Sequence, residues 1–223
     1  MTKYSAWLAE ALAVLRKDLR SELRTKYALN AIIMFAVVTL AAVSFAIGQY
    51  GIGNDIRAAF LWIVLFFSAM SGLGRVFIKE EDAGTVNVLR LAARSSVVFA
   101  GKLAFNTILL FVLALIVVPL FVVLMGLEVV DVPLFAGVLV LGTAGLAGAS
   151  TIIAAIIAKA SAKGELFAVL AFPILLPLLI TTIGGTRNAL DGNGNAGELQ
   201  LLFSYLLAMV TVSLMLFDFV WND

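Results

Sequence analysis

Residues 29–49 read LNAIIMFAVVTLAAVSFAIGQ, 21 positions without one ionisable side chain. A bilayer core about 30 Å thick is crossed by roughly 20 helical residues, and lipid satisfies no backbone N–H or C=O, so a crossing segment must bond internally. This stretch meets both demands and decides the class of protein. Five further segments follow the same rule: residues 58–78, 103–125, 133–158, 166–184 and 201–220. Together they use most of the 223 residues and leave no soluble domain, so the expected organisation is a single transmembrane domain over 1–223. Composition agrees, with 63% apolar and 13% charged residues, against about half and a quarter in soluble domains. The expected fold is all-α and polytopic, six transmembrane helices preceded by an amphipathic interfacial helix.

Positive charge is retained on the cytoplasmic side of a membrane. Lys3, Arg16, Lys17, Arg20, Arg24 and Lys26 precede the first span; Arg75, Lys79, Arg90, Arg94 and Lys102 lie between the second and third; Lys159 and Lys163 follow the fourth. The other side receives only Arg57 and Arg187, a split of 13 to 2 that predicts both termini to be cytoplasmic. Asp55, Glu128, Asp131, Asp191 and Glu198 fall on the outer side. Ser44-Phe45-Ala46 mimics a signal-cleavage site, but a 28-residue lead and a 21-residue span are too long for a signal peptide and read as an uncleaved anchor.

In residues 1–28, Leu8, Leu12, Leu15, Leu19 and Leu23 recur at steps of four, three, four and four, one helical stripe with Arg16, Arg20 and Arg24 along its edge. Such a helix lies in the headgroup plane, leucines in the acyl chains and guanidinium groups at lipid phosphates. Glu22 precedes Lys26 by four residues, the favourable order for an ion pair. An interfacial anchor and an elbow that transmits motion are both open readings of this helix.

The inner loop 79–102 reads KEEDAGTVNVLRLAARSSVVFAGK. Thr85 suits the N-cap of a short helix from Val86 to Arg94, with Glu80, Glu81 and Asp82 before its start and Arg90 and Arg94 at its end complementing the dipole. Ser95 and Ser96 can cap the turn that leads into the third span. Val86, Val88, Leu89 and Leu91 need an apolar seat, either the membrane surface or a groove on a cytoplasmic partner.

The span centres carry no Asp, Glu, Lys or Arg, which disfavours a proton- or sodium-coupled carrier. Zero histidine and zero cysteine exclude imidazole or thiolate metal and haem ligation by this chain. Gly101-Lys102 lacks the glycines of a phosphate loop, so any ATP must be hydrolysed by another chain. The run GTAGLAGAST at 142–151 reads as close helix packing. Pro173 and Pro177, one turn apart in the fifth span, predict a kink. The outer loop 186–200, with Asp191-Gly192-Asn193-Gly194-Asn195, lacks the alternating acidic ligands of a calcium loop and reads as a solvated connector with no metal. A net charge of +1 gives no reason to expect nucleic acid as a partner.

RKDLRSELRTKYALN at 16–30, EEDAGTVNVLRL at 80–91 and the proline-pair span GELFAVLAFPILLPLLI at 164–180 resemble the CcmB family, the haem exporter permease subunits of cytochrome c maturation, across nearly the whole chain. The resemblance implies an ABC-2-like permease architecture in which 79–102 is the cytoplasmic coupling loop. Glu80, Glu81, Asp82, Gly84 and Thr85 would dock on the ATPase. It also implies a CcmA-like cytoplasmic ATPase and CcmC-like and CcmD-like membrane subunits as partners, beside membrane lipid. No covalent cofactor is expected; ATP enters only through the ATPase, and haem is a transported or handled ligand touched at its porphyrin body or propionates. Ala92-Ala93-Arg94 departs from the family's frequent proline after the coupling segment, and Trp221-Asn222-Asp223 is not the tryptophan-rich haem motif of another subunit. A permease for a lipid, polysaccharide or drug and a non-transporting assembly scaffold are the rival readings.

Overall fold

A computed structural model describes residues 3–47, 51–158 and 163–222. Lys159 and the side chain of Lys163 lie outside the described residues, as do the side chains at 164–168 in the proline-pair span. Nine helices are described: α1 (Lys3–Thr25), α2 (Tyr27–Ile47), α3 (Asn54–Leu73), α4 (Arg75–Asp82), α5 (Val86–Ala92), α6 (Ser95–Met125), α7 (Val132–Ala158), α8 (Lys163–Asp191) and α9 (Ala196–Asn222). Six stretches are long and apolar enough to cross a membrane; α2, α6, α7, α8 and α9 supply five, and α3 with α4 runs as the sixth from Asn54 to Asp82. The chain is an all-α, multi-pass membrane protein.

Local chemistry sets the outer ends. Asp131 accepts the Leu134 N–H at 3.0 Å as the N-cap of α7, with Pro133 in the first turn where no donor is lost. Asn195 accepts the Gly197 N–H at 2.7 Å while Glu198 reaches back to the Asn195 N–H at 3.3 Å, a reciprocal capping box that starts α9. That box corrects the long outer connector expected over 186–200. The fifth span continues to Asp191, and only Gly192–Asn195 separates it from α9. Gly126, at φ 59°, closes α6, and its left-handed backbone carries no Cβ penalty.

The buried centre is α7, which packs on α3, α4, α6, α8 and α9. Its small-residue run does what its composition predicted: a Cβ on Gly142 would stand 2.3 Å from Trp62, and one on Gly145 2.9 Å from Leu178. Trp62 in turn donates from Nε1 to Thr186 Oγ1 at 2.8 Å, tying α3 to α8 with its polar atom satisfied. In contrast, α2 and α9 present most of their length outward, and residues such as Phe45, Leu207, Met215 and Phe219 are left for lipid. The helical run of α8 passes through Pro173 and Pro177 without interruption; Thr181 donates to the Pro177 carbonyl at 2.9 Å, and Tyr205 on α9 donates to the Ile174 carbonyl at 3.0 Å.

The lead helix corrects an expectation. Leu8, Leu12 and Leu23 do face outward, but Leu15 and Leu19 pack on the core, and the fully covered face of α1 is Val14, Asp18 and Glu22. α1 lies directly on α6 because Gly101 has no side chain: a Cβ there would meet Val14 at 2.7 Å and the Ala11 carbonyl oxygen at 3.0 Å. Glu22 does not serve the predicted pair with Lys26. Its Oε1 accepts the Leu29 N–H at 2.9 Å, capping the first turn of α2 across a joint where Lys26 takes φ 53°.

Candidate coupling site

The acidic run Glu80-Glu81-Asp82 lies at the end of a helix. It forms the last turn of α4, and Ala83-Gly84-Thr85 closes that helix. Gly84 N–H bonds to the Glu81 carbonyl and Thr85 N–H to the Glu80 carbonyl, both at 3.0 Å, with Gly84 at φ 65°. This is a Schellman closure, which requires a left-handed residue that glycine adopts without cost. It corrects two expectations. Thr85 takes the expected N-cap position of α5, but its hydroxyl donates to Glu80 Oε2 at 2.6 Å and makes no side-chain cap. Ser95 and Ser96 do not cap α6 either: Ser95 donates to Asp218 on α9, and Ser96 accepts from Trp7 Nε1 at 3.3 Å on α1.

Carboxylates at a helix C-terminus oppose its dipole and need compensation. Lys102 supplies it. The residue falls inside α6 because that helix begins at Ser95, several residues before the expected third span, and its side chain is 1% exposed. Its Nζ stands 3.3 Å from Glu80 Oε1 and 3.2 Å from Asp18 Oδ2, and donates to the Val76 carbonyl at 2.9 Å. Lys17 bridges the same two acids, Asp18 at 3.3 Å and Glu80 in closer contact. Two cations and two carboxylates from α1, α4 and α6 thus form one neutral group. Burial pulls the Lys17 ammonium down, but the Glu80 hydrogen bond and the charges of Asp18 and Glu80 outweigh it and hold it above its ordinary value. A raised lysine contributes its stability below the unfolded pKa and loses it only as pH climbs through the folded one. Lys17 therefore stays charged through neutral pH, and its part of the lock is permanent there.

On the other side, α5 leans on the end of α9. The Arg90 guanidinium lies 5.5 Å from the Trp221 ring centroid, and Phe77, Phe99, Phe217 and Trp221 form a continuous aromatic cluster beneath it. Val86 and Leu89 pack against the core, while Val88 and Leu91 are 67% and 92% exposed. Of the five residues assigned to docking, Glu81, Asp82, Gly84 and Thr85 are exposed and Glu80 points into the lock. Arg16, Arg20 and Arg24 are all exposed along α1. The expected loop 79–102 is thus an ordered elbow: the last turn of α4, a three-residue turn, α5 and the first turns of α6. Lys102 and Asp18 are the residues that sequence reasoning passed over. Both sit among charges that look solvated in one dimension, and the available signal was the pairing of Gly101 with a lysine one residue before an apolar run. Among the described residues no cluster of acids has the arrangement of a metal site.

Six spans, a lead helix packed on α6 and an acidic elbow at one end of the bundle define a multi-pass membrane protein. The chain belongs to the CcmB family, whose sequence model, described as CcmB protein, matches residues 9–222. It is 29% identical over 205 residues to heme exporter protein B of Rhodobacter capsulatus, covering 90% of this chain and 93% of that protein. It is 27% identical over 190 residues to heme exporter protein B of Pseudomonas aeruginosa, covering 82% and 83%.

Proposed function

We propose that this chain is the membrane permease subunit of a haem export or haem-chaperone release complex serving c-type cytochrome assembly, driven by a separate cytoplasmic ATPase. Family membership and the two heme exporter relatives support the haem-handling assignment. The observation that carries the mechanism is the elbow: exposed Glu81, Asp82, Val88 and Leu91 on a turn whose root, Glu80, is locked to α1 and α6 by Lys17 and Lys102. A partner that grips the exposed side moves a rigid lever, because the buried side is tied into the bundle. Force applied at α5 reaches α1 through Glu80 and Lys17, and reaches α9 through Arg90–Trp221 and Ser95–Asp218. Both termini are cytoplasmic in this arrangement, and CcmC-like and CcmD-like subunits complete the assembly. With no histidine in the chain, haem contacts are confined to the porphyrin body and propionates.

Glu81→Arg with Leu91→Asp, two exposed positions outside the buried lock, tests the assignment. The variant should insert at normal levels, yet a haem stain of c-type cytochromes in cells carrying only this variant should be empty. Normal holo-cytochrome levels would refute the coupling role. Loss of every c-type cytochrome in a full deletion strain, with other exports intact, separates haem handling from the export of a lipid, polysaccharide or drug.

A further inference from the structure

Two of the three acids of α1 are turned inward. Asp18 and Glu22 are each 7% exposed, Asp18 held by Lys17 and Lys102 and Glu22 by the Leu29 N–H. Most cations nearby are engaged as well: Lys17 in the lock, Lys79 on Ser21, Arg75 over Tyr27 and Arg90 over Trp221. Arg16, Arg20 and Arg24 are not. They fall at four-residue steps, one row along a helix of 3.6 residues per turn, and all three are exposed. Among the described residues none of them makes an ion pair, a hydrogen bond or a ring contact. Folding thus turns a helix of mixed charge, three acids against five bases, into one with an uncompensated cationic ridge. We propose that this ridge binds the phosphates of anionic phospholipid at the membrane surface, in preference to zwitterionic lipid.

Depth is the second argument. Val14 packs against Gly101, Asp18 reaches Lys102 at 3.2 Å, and the apolar run of that span begins at the next residue, Leu103. The half of α1 that carries the ridge therefore lies at the boundary of the hydrocarbon, the level of lipid headgroups. Leu23, one residue before Arg24, and Tyr27, at the start of α2, are 68% and 57% exposed and give the ridge an apolar edge against acyl chains. Lipid chemistry is the third. A guanidinium holds a phosphate through two parallel hydrogen bonds and keeps its charge at any physiological pH. A zwitterionic head brings an ammonium too, and no carboxylate on this row receives it: Asp18 and Glu22 are covered, and Glu10, the exposed acid of α1, stands six residues ahead of Arg16. An acidic protein surface would answer the charges and leave the apolar edge unused. The inference does not depend on what the complex exports.

Native mass spectrometry of the full-length chain in mild detergent, offered equal amounts of palmitoyl-oleoyl phosphatidylglycerol and phosphatidylcholine, tests it, since the two lipids differ only in the head. The wild-type chain should retain phosphatidylglycerol about tenfold or more over phosphatidylcholine, each basic side chain near an anionic surface contributing severalfold. The triple variant Arg16→Gln, Arg20→Gln, Arg24→Gln should stay monodisperse with an unchanged melting midpoint, because no partner is lost, and its preference should fall to near parity. Arg187→Gln, whose side chain faces Asp191 at 3.6 Å at the other end of the bundle, should leave the preference as it is. Equal retention of the two lipids by the wild type, or a preference that survives in the triple variant, would overturn the proposal. So would capture of the ATPase that the triple variant loses in nanodiscs of phosphatidylcholine alone, a result that assigns the ridge to an acidic protein surface.

Discussion

Lys102 is the residue on which the inner end of the bundle depends. It is sealed from solvent and faces Asp18 and Glu80, so its removal strands two carboxylates with Lys17 alone. Breaking a buried pair by removing one partner costs about 3–5 kcal/mol, whereas replacing all its members by apolar groups is often neutral. Lys102→Met should therefore lower the thermal midpoint of the detergent-solubilised protein sharply. Adding Asp18→Asn and Glu80→Gln to it should recover much of the loss. Equal midpoints for wild type and the single variant would show that the cluster holds nothing together. Gly84 gives a cleaner backbone test. No atom lies within 4 Å of where its Cβ would be, so Gly84→Ala costs only the left-handed conformation, about 1–2 kcal/mol. Its expected signature is a modest fall in the midpoint with a disproportionate fall in partner-stimulated ATP turnover, because the same residue shapes the elbow.

At the scale of elements, α1 is part of the bundle more than a raft on its surface. Gly101 permits that contact, and Gly101→Leu should lift α1 from α6. Limited proteolysis should then cut within residues 3–25 at least several-fold faster, with the six spans still protected. The exposed side of α5 supports an independent expectation: Val88→Asp with Leu91→Asp should abolish capture of the ATPase while leaving the melting curve unchanged, since both side chains project outward. The long helices were legible in the sequence because lipid demands a continuous apolar run, a one-dimensional property. The packing role of GTAGLAGAST was legible for the same reason, since small residues at steps of three and four have few other uses in a span. The direction of the acidic run was not legible. EEDAGT can precede one helix or end another, and the choice rests on a lysine 22 residues downstream of Glu80 that compensates the dipole. The capping box at Asn195 was hidden in a stretch whose Gly and Asn content suggests solvent.

For the whole molecule, the arrangement is a centre, α7, ringed by spans, with α2 and α9 turned largely toward lipid and one rigid projection at the end where α1, α4, α5 and α6 converge. A lever of this kind has a function only if something outside grips it, and the chain has no nucleotide-binding loop of its own. The central claim is that this elbow is the cytoplasmic grip of the ATPase. The most direct measurement introduces one cysteine, Leu91→Cys, into this cysteine-free chain and attaches a thiol-reactive photo-crosslinker to it within the assembled complex. The account predicts a covalent adduct with the ATPase subunit whose yield changes with bound nucleotide. An inserted, stable protein that gives no such adduct, or whose elbow is labelled from the periplasmic side, would contradict it.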